Sequence, residues 1–108
     1  MNKALYYLCL RCVDTMDEYI PYPSKVLEDT CNLSLYQTSK ELKALKAQGY
    51  FVDDWHAVST EYGPVVLIGC RITDKAKETE EYKKAFEDGR KIVLESYGSA
   101  LKGEIHNG

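Results

Sequence analysis

Three sets of residues in this chain are of types that could do chemistry. The first is Cys9 and Cys12, a C-x-x-C pair that could hold a metal or exchange disulfides. A zinc site needs a second such pair, or histidines at ligand spacing. Cys31 and Cys70 are isolated, and His56 and His106 stand far apart. Both Cys9 and Cys12 also fall on the apolar stripe of a helix, so all four thiols are expected to be free and to pack as small apolar groups. No metal and no cofactor is expected. The second set is Asp53, Asp54 and His56, which could move protons or ligate a metal. They read instead as the solvated start of a strand. The chain has no Gly-rich phosphate loop, nucleophile elbow or zinc-helix motif, and no enzyme activity is expected.

The third set is cationic. Lys40, Lys43 and Lys46 follow Tyr36, Gln37 and Ser39 in the stretch from Ser34 to Gln48, where Glu41 alone opposes them. That stretch is net +2 in a chain that is net −3. Lysines beside polar and aromatic side chains could neutralise phosphates and meet base edges. The bland alternative is an amphipathic helix that carries lysines only to stay solvated.

These residues need a helix to position them, and the local signals supply one. Ser34 with Gln37 three residues on is a capping box. Thr38, Leu42 and Leu45 repeat at i, i+4, i+7, one buried stripe. Gly49 ends the helix as a left-handed residue would. The helix is preceded by a shorter one from Ser24, its cap, to about Cys31, broken at Asn32 and Leu33. Leu35, Tyr36, Ser39, Lys40, Lys43 and Lys46 are left on the outward face.

The remainder of the chain frames this pair. With 108 residues, 44% of them hydrophobic and 29% charged, a single domain can bury a proper core. No apolar run approaches the roughly 20 residues of a membrane span. The opening MNKALYYLCLRC reads as a core helix over residues 2–19 rather than a signal peptide, and a cytoplasmic location is expected. Its apolar face runs through Leu5, Leu8, Cys9, Cys12, Val13 and Met16, and Tyr6, Tyr7 and Leu10 make a second side apolar as well. After Gly49, residues 50–58 and 65–73 read as two strands of an antiparallel hairpin, with residues 59–64 as turn. Residues 75–97 return to helical spacing, and 98–108 form a polar, Gly-rich tail. The expected class is mainly α with a small β-hairpin, that is, α+β.

In this order the chain resembles the winged helix-turn-helix superfamily, as found in small bacterial transcriptional regulators. The resemblance rests on residues 24–73: the Leu33-Ser34 turn, Leu42 and Leu45, the Gly49-Tyr50 exit, and Ile72-Thr73-Asp74-Lys75. In the superfamily this last motif is often followed by Gly, where Ala76 stands here. The likeness implies a helix-turn-helix over 24–48, a wing over 50–73, and double-stranded DNA as partner. It implies that Leu35 and Tyr36 open the recognition helix. Tyr36, Gln37, Ser39 and Lys40 then read bases, and Lys43, Lys46 and Lys25 meet phosphates. Tyr6, Tyr7 and Leu10 on the first helix and the length of the last helix exceed what a three-helix core and a hairpin can easily cover, so a homodimer joined through the terminal helices is expected, placing two recognition helices one DNA turn apart. The hairpin departs from the pattern. From Phe51 to Thr73 three carboxylates (Asp53, Asp54, Glu61) oppose Arg71, net −2, and a tip of Ser59, Thr60, Glu61 and Tyr62 offers no cation. A winged-helix protein–protein interaction module that ignores DNA is therefore the second expectation.

Overall fold

The computed structural model describes residues 1–90. Its elements are α1 (Lys3–Thr15), β1 (Tyr19–Pro21), α2 (Pro23–Cys31), α3 (Leu35–Ala47), β2 (Phe51–Thr60), β3 (Gly63–Ile72) and α4 (Asp74–Lys77), followed by a helix α5 over residues 80–90. The fold is α+β, with a three-stranded antiparallel sheet in the order β1-β3-β2. The helix expected over 75–97 is interrupted at Glu78 and Thr79, between α4 and α5; its residues 91–97 and the tail 98–108 lie outside the described residues. No helix among those described is long and apolar enough to cross a membrane.

The first expected helix stops short. Met16 turns left-handed at φ 54, and its amide donates to the carbonyls of Cys12 and Val13. The Tyr19 amide then donates to Asp17 Oδ1, which turns the chain out of the helix. Tyr19, Ile20 and Pro21 pair with Arg71, Cys70 and Gly69, a third strand where only two were expected. That pairing needs a glycine opposite Pro21. A Cβ on Gly69 would lie 2.2 Å from the Ile20 carbonyl oxygen and 2.9 Å from the Tyr19 ring.

The start of α2 also differs from expectation. Tyr22, left-handed at φ 49, holds the cap position, and Pro23 is the first helical residue. Proline suits that place because its φ is already helical and it has no amide to leave unpaired. Asn32, left-handed at φ 53, ends α2. The α3 capping box forms as expected: the Gln37 amide donates to Ser34 Oγ at 3.2 Å, and the Ser34 amide donates to Gln37 Oε1 at 3.0 Å. Thr38, Leu42 and Leu45 are buried. At the far end Gly49 takes φ 83, and the carbonyls released there are met from across the fold. Thr73 Oγ1 donates to Gly49 O at 2.6 Å, and Lys75 Nζ donates to Gln48 O at 2.5 Å. Thr73 Oγ1 also accepts the Ala76 amide as the cap of α4. The Ile72-Thr73-Asp74-Lys75 run therefore clamps the exit of α3.

One core joins these pieces. Leu5, Leu8 and Cys9 of α1 meet Leu27 of α2, Leu45 of α3, and Ile20, Phe51, Cys70 and Ile72 of the sheet. The second apolar side of α1 has a neighbour within the chain. Tyr6 donates to Asp88 Oδ2, and a Cβ on Gly89 would lie 2.6 Å from Val13 Cγ1. Here α5 packs on α1, so the surplus apolar side of α1 no longer argues by itself for a second copy.

Candidate nucleic-acid interface

The outward face of α3 is built by subtraction. Its inward stripe is fixed by the core, and a three-residue link, 32–34, sets it against α2. What remains in solvent begins at the N-terminal turn, where Leu35 is 68% and Tyr36 77% exposed. Ser39, Lys40 and Lys43 continue the exposed strip along the helix. Among the described residues, neither lysine has a carboxylate within ion-pair distance. Such a strip presents one phenol ring, one aliphatic hydroxyl and two ammonium groups over about two turns. Those are groups that can meet base edges and phosphate oxygens.

Three of the expected contact residues already have partners within the chain. Gln37 is exposed, but its carboxamide oxygen is taken by the capping box, leaving only its amino group for a partner. Lys46 is half-buried and its Nζ lies 2.6 Å from Asp53 Oδ1 on β2. Lys25 sits on α2, exposed, with Nζ 3.5 Å from Asp29 one turn on. The structure thus brings Leu35, Tyr36, Ser39, Lys40 and Lys43 together, and sets Lys46 and Lys25 against carboxylates.

Strand alternation splits the Asp53, Asp54 and His56 set. Asp53 shares the face of Phe51 and reaches Lys46, while Asp54 and His56 lie on the opposite face. There Asp54 Oδ2 accepts from Arg71 Nε at 2.9 Å and stands 3.6 Å from His56 Nε2. The His56 ring stacks on Tyr19 with centroids 4.0 Å apart. The Trp55 amide, and next the Arg71 guanidinium, hold the Asp54 carboxyl below its usual range. Arg71, the single cation of the hairpin, is thereby neutralised in place. Sequence reading missed this four-residue cluster because β1, which brings Tyr19, was not foreseen.

Cys9 and Cys12 face the core, and burial above all pushes both thiols up to about 12. A thiol held that high is a poor nucleophile at neutral pH. Among the described residues no three His, Cys, Asp or Glu side chains are grouped to hold a metal ion. Cys70 is buried in the same core with its thiol raised likewise.

Comparison with known protein families, with curated proteins and with solved structures finds no match to this chain.

Proposed function

We propose that this chain is a winged helix-turn-helix protein that binds double-stranded DNA through α3, in the manner of a small cytoplasmic transcriptional regulator. The observation that carries the reading is the open strip on α3. A helix anchored on one side by Thr38, Leu42 and Leu45 leaves Tyr36, Ser39, Lys40 and Lys43 standing clear at its N-terminal end. The order α1-β1-α2-α3-β2-β3 supports it, with α3 as the second helix of a close pair and the β2–β3 hairpin as the wing. In such a docking the N-terminal turns of α3 enter a major groove, and Lys43 reaches the flanking backbone. No cofactor is needed for this role.

A second reading is favoured by one specific observation. The hairpin carries Asp53, Asp54 and Glu61, and its Arg71 is held by Asp54. A wing of that charge contributes nothing to phosphate binding, which fits an interaction module for another protein. Retention on immobilised duplex DNA separates the two. The DNA reading expects retention at low salt and release over a narrow salt range. Passage of the folded protein without retention at low salt leaves the protein-binding reading in its place.

A further inference from the structure

The outer half of the hairpin is unlike the rest of the surface. β1 covers β3 only from Arg71 to Gly69, whereas the hairpin runs on to a turn at Glu61 and Tyr62. On the face that continues the core, Trp55 is 65%, Val66 52% and Ile68 67% exposed. Ala57, Ser59 and Pro64 complete that flank, and they too are exposed. Among the described residues no element covers this flank, and an isolated two-stranded ribbon is marginally stable in water. An uncovered aromatic and two β-branched side chains side by side mark an interaction surface.

We infer that this flank is the seat of a second copy of the same chain, packed hairpin against hairpin about a two-fold axis. Charge argues for a like partner. None of the six flank residues is ionisable, and Asp53 at the inner margin is neutralised by Lys46. Two such flanks do not repel each other, while a nucleic acid or an acidic partner finds no cation there. Area argues the same way. The uncovered surface of the six is on the order of 500 Å² per chain, so two copies reach about 1,000 Å², where a specific interface becomes sustainable. An isologous contact also covers both flanks at once and leaves no open end for fibre growth. Placing the contact here leaves the outward strip of α3 open.

Trp55 is the sole tryptophan, so the interface reports on itself. Sedimentation equilibrium of the full chain, without DNA, is run from low to high micromolar concentration alongside its tryptophan emission. The expected result is a rise from monomer to dimer mass with a matching blue shift. Ile68→Glu should weaken association about 100-fold or more, by burying an unpaired charge, with far-UV circular dichroism unchanged. If that variant does not fold, Val66→Lys on the same flank serves in its place, and the wild-type emission shift stands as an independent readout. A wild-type monomer at every concentration overturns the inference. So does a dimer whose Trp55 emission stays unshifted, or one that survives Ile68→Glu. Because DNA is absent throughout, failure here is separate from failure of the DNA reading.

Discussion

Lys43 and Tyr36 are both exposed on α3, yet removing them should have different consequences. An ammonium over the backbone contributes affinity to every sequence, whereas a ring at the helix start contributes to some sequences only. Lys43→Ala is expected to weaken binding to all duplexes alike and to flatten the salt dependence by about one unit. Tyr36→Ala or Lys40→Ala is expected to cost about 1–3 kcal/mol on a preferred site and less on random DNA. Anisotropy titrations on selected and random duplexes measure both. The carboxylates lead to a second prediction at this scale. Lys77 Nζ lies 2.8 Å from Glu18 Oε1, and this hydrogen bond lowers the Glu18 pKa, as the Trp55 amide and Arg71 lower that of Asp54. A carboxyl with a lowered folded pKa adds stability that is complete above its unfolded value, near 4. That stability is lost as pH falls through the lowered value. Urea midpoints should therefore drop on acidification below about pH 4.5, and Glu18→Gln with Asp54→Asn should flatten the drop.

Among the elements, those set by near neighbours were legible in the sequence. Ser34 and Gln37 satisfy each other three residues apart, so α3 could be read with its cap and its buried stripe. Asn32 and Gly49 marked real breaks for the same reason. What failed depended on distant partners. Tyr19 to Pro21 form a strand because β3 arrives about 50 residues later, and no three-residue run carries a period of its own. Ser24 looked like a cap, but Pro23 before it already had the geometry of a first helical residue. The hairpin ran longer than expected because Ser59, Thr60, Gly63 and Pro64 pair across a two-residue turn instead of forming a wider one. Gly69 tests the strand that was missed. Gly69→Ala should cost about 3 kcal/mol or more by driving a methyl into the Ile20 carbonyl, detaching β1. A urea midpoint near that of the wild type would show that β1 is not held as described.

At the level of the whole molecule, charge and assembly decide what α3 can do. The chain is net −3, so on the proposed reading DNA would be met by a local cationic strip on a surface that otherwise repels it. Ion pairs of Lys46 with Asp53 and of Lys25 with Asp29 reduce that strip to Lys40 and Lys43; the first joins α3 to β2 and needed the fold, whereas the second is an i,i+4 pair within α2. On the proposed reading, Lys40 and Lys43 alone would give a monomer a modest salt slope, and a two-fold pair, with twice the phosphate contacts, would double that slope. The most direct measurement is an anisotropy titration of labelled duplex DNA at several salt concentrations, on the wild-type chain and on the triple change Tyr36→Ala, Lys40→Ala and Lys43→Ala. The account predicts saturable wild-type binding that weakens as salt rises, and its loss in a triple variant that folds as the wild type does. Equal binding by the two proteins, or none by the wild type at low salt, would contradict it.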